Sequence, residues 1–304
     1  MTVVVSAEKL TKTFGSHRGI VGVDFMVTEG EVFGFLGPNG AGKSTTIRLL
    51  TGLSHPTSGA AKVFGLDPIA DAVEIHRRVG YLPGELSLHP GLTGRQHVDF
   101  AAKVRGMQDR TFLHELMDRF QVELERPTRT LSKGNRQKIG ILLAIMHRPE
   151  LAILDEPTSG LDPLMQDEFE RLMRELVSTG ATVFLSSHEL DEVQRVATRV
   201  AIIKDGQLVV TDTVEALRRR APRTIEFSFP RNVDPKPFAS IEGVQVVDAH
   251  GKRITLALSG AVAPVLRVAA ELDPLDVVAR PADLDELFLT YYRDQHMDEP
   301  VDAR

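Results

Sequence analysis

The stretch "GPNGAGKST", Gly37–Thr45, brings glycine, lysine and hydroxyl side chains together at a spacing suited to phosphate. Gly37, Gly42, Lys43 and Ser44 match the pattern GxxxxGK followed by Ser or Thr, with Pro38, Asn39, Gly40 and Ala41 between them and Thr45 behind. Glycines let backbone N–H groups turn inward around an anion, the Lys43 ammonium supplies a point charge, and the Ser44 hydroxyl is a ligand for Mg2+. Every part of a triphosphate cradle is present. A second source of chemistry is "LAILDEP", in which four apolar residues run into Asp155 and Glu156. A carboxylate at the carboxyl end of a strand lies where open sheets bind ligands, so Asp155 is suited to hold Mg2+ through water. Glu156 beside it is suited to orient and deprotonate an attacking water.

Such residues work only if strands and helices aim them at one point. "GEVFGFLG" reads as a strand that enters the glycine turn, and a helix opens near Lys43. "TVVVSAEKL" and "GVDFMVT" are further β-rich runs before it. From about Leu92 to Arg148 the pattern turns helical, with Phe112, Leu113, Leu116, Met117 and Phe120 on one helix face. This predicts an inserted helical subdomain over about 85–150. Strands return in "LAILDEP", "ATVFLSSH" and "RVAIIKDGQLVVT" with helices between, the alternation of a parallel α/β sheet covered on both faces. "TVEALRRRAPR" ends a helix in a cationic turn before Pro222, which sets domains at 1–221 and 222–304. In the second, "TIEFSFP", "VQVVDAH", "RITLALS" and "DVVARP" read as strands, "VAPVLRVAAEL" and "ADLDELFLTYYR" as helices, giving a small α+β domain.

Bulk properties narrow the function. The 304 residues carry a net charge of −6 with 42% hydrophobic and 26% charged residues, an ordinary globular composition without a broad basic surface for nucleic acid. There is no cysteine, which removes disulfides and thiolate metal sites. "MTVVVSAEKLTKTFG" lacks the basic start and apolar core of a secretory signal, and the longest apolar run, "IGILLAIM", is far short of the roughly 20 residues that cross a bilayer. The chain is therefore expected not to span a membrane by itself. No NKxD element for a guanine base is present.

With these residues in hand, the chain resembles the nucleotide-binding subunit of ATP-binding cassette (ABC) transporters over roughly residues 1–220. "LSKGNRQ", Leu131–Gln137, resembles the family signature, usually LSGGQ; "SGLD", Ser159–Asp162, matches the D-loop; and His188 in "FLSSH" matches the switch histidine. The resemblance implies a P-loop NTPase (RecA-like) ABC ATPase core, with ATP and Mg2+ as ligands. It implies a head-to-tail pair in which each ATP lies between one chain's Lys43 loop and the other's Ser132, Gly134 and Asp162 segments. Ser132 and the N–H groups after it would face the γ-phosphate from a positive helix end. His188 would bond the γ-phosphate and help position Glu156, and Phe14 in "LTKTFG" would stack on adenine. The implied partners are a transmembrane permease and a second copy of the chain or a homologous ATPase, holding it at the cytoplasmic face of the plasma membrane; no nucleic acid is expected.

"VGYLPGEL", "LSKGNRQKIGI" and "ADLDELFLTYYR" resemble bacterial exporters of antibiotics, other drugs or lipids, including the bacitracin, daunorubicin and tetronasin resistance types. The segment Tyr81–Gly94 and the helices after it correspond to the groove that receives the permease. A soluble ABC ATPase acting on ribosomes or DNA is the alternative, but such members carry two cassettes or a long coiled coil. A nonhydrolytic scaffold would be expected to lack Glu156. Two departures from the family stand out. Gly84 replaces the usual glutamine, so Ser44, Asp155 and water, or Glu85, are left to complete the Mg2+ shell. Lys133 replaces the first signature glycine and reads as a solvated lysine, the other reading being added charge near the γ-phosphate; Asn135 replaces the signature glutamine.

Overall fold

A computed structural model describes residues 2–15, 17–220 and 223–279. The chain divides into two compact units, Met1–Asp212 and Thr213–Arg304.

In the first unit, β1 (Val3–Phe14) and β2 (His17–Thr28) pair antiparallel, and β4 (Ser58–Val63) joins the free edge of β1. Between them in sequence come β3 (Val32–Leu36) and α1 (Lys43–Leu50). After β4 the chain forms α2 (Ala72–Arg78) and β5 (Val79–Leu82), then α3 (Gly94–Val104), α4 (Thr111–Arg119) and α5 (Lys133–Ile145). Helix α4 falls where the spacing of Phe112, Leu113, Leu116, Met117 and Phe120 predicts a helix face, with Leu113 and Leu116 buried. A reciprocal cap opens α3: Thr93 Oγ1 accepts from the Gln96 N–H while Gln96 Oε1 accepts from the Thr93 N–H. The unit closes through β6 (Leu151–Asp155), α6 (Pro163–Ser178), β7 (Thr182–Ser187), α7 (Leu190–Val196), β8 (Arg199–Lys204) and β9 (Gln207–Thr213).

The central sheet has the order β5-β6-β7-β3-β8-β9, with β5-β6, β6-β7, β7-β3 and β3-β8 parallel. Every residue of β3, β6 and β7 is buried, as a sheet covered on both faces requires. Phe25 of the antiparallel sheet packs on Phe33, Phe35 and Phe184 of the parallel one with ring centroids 5.6–5.9 Å apart, so the two sheets share one core into which α1 inserts Ile47 and Leu50. Register then fixes the site. Leu36 pairs with Ser187 and Asp155 with Ser186, so the carboxyl ends of β3, β6 and β7 finish at one level.

The second unit runs α8 (Val214–Arg220), β10 (Arg223–Ser228), α9 (Lys236–Ala239), β11 (Val244–His250), β12 (Arg253–Leu258), α10 (Ala263–Glu271) and β13 (Asp276–Ala279). Its antiparallel sheet has the order β11-β12-β10-β13, a split βαβ arrangement. Ile225 and Phe227 of β10 and Ile254, Leu256 and Leu258 of β12 alternate inward onto Phe229 and Phe238. The helix expected in "ADLDELFLTYYR" lies outside the described residues.

Candidate active site

The loop after β3 is built by backbone turns that need glycine. Gly42 has φ 111° and caps α1, and a Cβ there would lie 2.5 Å from the Ile20 side chain. Gly40 is also left-handed, at φ 83°. The Gly37 N–H donates to Ser187 O at 3.2 Å, tying the loop to β7, while Ala41 is buried and accepts from the Gly206 N–H. Lys43 is only 5% exposed, and its ammonium donates to Gly37 O at 2.6 Å and Pro38 O at 3.2 Å. Burying an ammonium demands such partners.

The same ammonium lies 3.2 Å from Glu156 Oε1. Glu156 Oε2 lies 2.7 Å from His188 Nδ1, so Lys43, Glu156 and His188 form one chain of contacts. Glu156 Oε1 is buried, and the Lys43 ammonium beside it balances its charge. Asp155, 2% exposed, accepts a hydrogen bond from the Ser186 hydroxyl. A cavity of about 830 Å³ opens over Lys43, Asp155 and Glu156, lined also by Phe14, Pro38, Asn39, Gly40, Gly42, Ser44, Thr45, Gly84 and Glu85, whereas Gly37, Ala41 and His188 are not part of its lining. Its size suits a nucleotide. Phe14 stands half-exposed at this cavity, with the Lys12 ammonium 5.2 Å from its ring centroid.

The donor set also fits Mg2+. Ser44 and Asp155 border one cavity, a hydroxyl and a carboxylate on the same space. That is the pattern for an ion that takes few protein ligands and completes its shell with water and substrate phosphate.

Ser132, Gly134 and Asp162 do not border this cavity. Ser132 caps α5, its hydroxyl accepting from the Asn135 N–H at 3.1 Å, and Asp162 caps α6, accepting from the Met165 N–H at 3.1 Å. Lys133 is exposed, in line with the solvated reading, and its ammonium also donates to Ser159 Oγ at 2.8 Å, because α5 starts against the 159–160 turn.

Other residues at the site escaped the sequence reading. Arg48, Leu53 and Tyr81 also line the cavity. Arg48 follows Ser44 by one helical turn, a spacing that places both on one face of α1. Burial raises the Tyr81 hydroxyl pKa, and the nearby Asp155 charge raises it further. Glu192 accepts from Thr158 Oγ1 at 2.5 Å and Ser187 Oγ at 2.8 Å, bridging the segment after Glu156 to the strand before His188. Burial raises its pKa against those two bonds, which favour the charged form.

Comparison with known proteins agrees with this geometry. A family model described as "ABC transporter" matches residues 20–159. The chain is 36% identical over 230 residues to the bacitracin transport ATP-binding protein of Bacillus licheniformis, covering 75% of each chain. It is 36% identical over 222 residues to the daunorubicin/doxorubicin resistance ATP-binding protein of Streptomyces peucetius, covering 71% of this chain and 67% of that one. A solved ATP-binding subunit of an ABC transporter superposes with a TM-score of 0.67 at 31% identity, over 71% of this chain and 92% of that one. A dimeric bacterial ABC cassette superposes with a TM-score of 0.63 at 22% identity, over 69% and 98%, a likeness of fold. The phosphate loop, the paired carboxylates and these relatives agree: the chain belongs to the ABC transporter family, as an ATP-hydrolysing subunit.

Proposed function

We propose that the chain binds Mg2+–ATP between two ATPase subunits and uses hydrolysis to drive export through a separate transmembrane permease at the cytoplasmic face of the membrane. The observation that carries this is the Lys43–Glu156–His188 chain of contacts on a nucleotide-sized cavity. The N–H groups of Gly40–Thr45 receive the phosphates, and Phe14 takes the adenine. Ser44 and Asp155 hold Mg2+, which neutralises phosphate charge when bound. An incoming γ-phosphate competes with Glu156 for the Lys43 ammonium. Once that ammonium turns to phosphate, Glu156 is released to accept a proton from water, and His188 holds the carboxylate from its other oxygen.

Ser132, Gly134 and Asp162, which do not line this cavity, act on the nucleotide of the second subunit. Closing the pair decisively requires that ATP favour the closed form by about 5.5 kcal/mol. For the permease we favour a second cavity, also about 830 Å³, lined by Val73, Arg77, Val104, Arg105, Phe112 and His147. Val73 and Val104 are 71% and 69% exposed, apolar surface that a partner helix would cover. Among the described residues no helix is long and apolar enough to cross a membrane.

Glu156→Gln tests the reading. It should bind ATP, lose turnover by about 100-fold or more, and elute from size exclusion as an ATP-dependent dimer. Turnover at the wild-type rate would remove Glu156 as the base and the reading with it.

A further inference from the structure

The helix whose start carries Ser132 and Gly134 also grips the chain's own Glu156, a contact that the function above leaves unused. Gln137 on α5 is 5% exposed, and its side-chain amide donates to the backbone carbonyls of Glu156 at 3.2 Å and Pro157 at 2.9 Å. Glu156 holds φ 51°, a left-handed backbone that a residue with a side chain keeps only when its surroundings over-determine it. The Glu156 N–H donates to Ser186 of β7, at 3.1 Å to its carbonyl oxygen and 3.3 Å to its hydroxyl. Its carbonyl accepts from the Ser159 N–H of its own turn at 3.3 Å and, from outside the turn, from the Gln137 amide of α5 at 3.2 Å.

The rest of the turn leans on the same helix. The Lys133 ammonium bonds Ser159 Oγ, and Gly134 approaches so closely that a Cβ on it would sit 2.5 Å from Gly160 O. Lys133 and Gln137 are one helical turn apart, and Gly134 and Gln137 three residues apart, so one face of α5 carries all three contacts.

We propose that Gln137 is a positioning residue for Glu156. It fixes the left-handed backbone that aims the carboxylate at Lys43 and His188, and it relays what happens at the start of α5. The relay rests on the two-subunit reading above: nucleotide of the second subunit, engaging Ser132 and Gly134, shifts or steadies the hydrolytic carboxylate of this chain through Gln137. Each subunit's base thereby senses whether the other site is filled.

The test uses the purified full chain. Gln137→Leu keeps the bulk and removes both donors. It should lower kcat tenfold or more, leave the Kd for ATP within twofold, and bring the Hill coefficient for ATP toward 1. Gln137→Glu should be impaired at pH 8, where its carboxylate faces two carbonyls. Its kcat relative to the parent should rise severalfold toward pH 6, as protonation restores a donor. A packing role alone gives no such pH-dependent rescue. Wild-type kcat in Gln137→Leu overturns the positioning role, and a lowered kcat with an unchanged Hill coefficient overturns the relay. Should Gln137→Leu fail to fold by circular dichroism, a flat pH ratio for Gln137→Glu overturns the proposal instead. Glu156→Gln, assayed alongside, separates the two levels: its inactivity with a normal Gln137→Leu sinks only this inference, whereas its full activity sinks the ATPase reading itself.

Discussion

Gly84 lies beside Asp155 at the position where the family resemblance implies a glutamine. A Cβ built there lies 3.0 Å from Asp155 Oδ2 and 3.2 Å from Cγ, closer than ordinary packing, so the backbone already occupies the carboxylate's flank. Asp155 is held from its other oxygen by the Ser186 hydroxyl, a charge-assisted bond that resists its moving away. Restoring the side chain with Gly84→Gln is therefore expected to disturb Asp155 by a few tenths of an ångström. The Mg2+ concentration giving half-maximal ATP hydrolysis should rise severalfold, read by titrating the metal at saturating ATP. An unchanged titration would mean that Asp155 yields without cost. Lys43 illustrates the same economy of space: a buried ammonium satisfied by two carbonyls and a carboxylate is ready to exchange those partners for phosphate.

At the scale of elements, the site exists because three parallel strands end level and each hands its next residues to the same site. β3 leads into the phosphate loop, β6 ends on Asp155 with Glu156 next, and β7 ends on Ser186 and Ser187 before His188. The Gly37 N–H bonded to Ser187 O and the Glu156 N–H bonded to Ser186 O lock the three ends together. Helix α5 is seated on that junction by the absence of a side chain at Gly134. In Gly134→Ala the new Cβ would meet Gly160 O at 2.5 Å, so either α5 or the 156–160 turn must move. The expected cost is about 1–3 kcal/mol, measured as a lower denaturant midpoint at unchanged slope. A neutral Gly134→Ala would show that the contact is slack.

For the whole molecule, the prediction concerns division of labour between hydrolysis and docking. Val104 is exposed at the second cavity, remote in the chain from the phosphate loop. Val104→Glu should leave ATP binding and the ATP-dependent dimer of the Glu156→Gln background intact. It should reduce the membrane-associated fraction of the chain severalfold on cell fractionation. Unaltered membrane association would move the permease contact elsewhere. The net charge of −6 favours neither nucleic acid nor an anionic lipid surface as a binding partner.

Sequence by itself determined the phosphate loop, because its cradle is made of consecutive backbone N–H groups and needs glycine at fixed places. It also determined the neighbouring pair Asp155 and Glu156, and the buried strands whose apolar runs a doubly covered sheet requires. Weak local signals failed: "SGAAKV" is largely exposed, and becomes a strand only because β1 offers it an edge. Tertiary structure alone decided the supporting contacts. Gln137 reaches Glu156 across 19 positions and Glu192 reaches Thr158 across 34, distances that only the order β6-β7-β3 and the seating of α5 can close. The partner in the Gln137 contact is a backbone carbonyl, which has no residue type to read; where it points depends on a φ angle set by the fold.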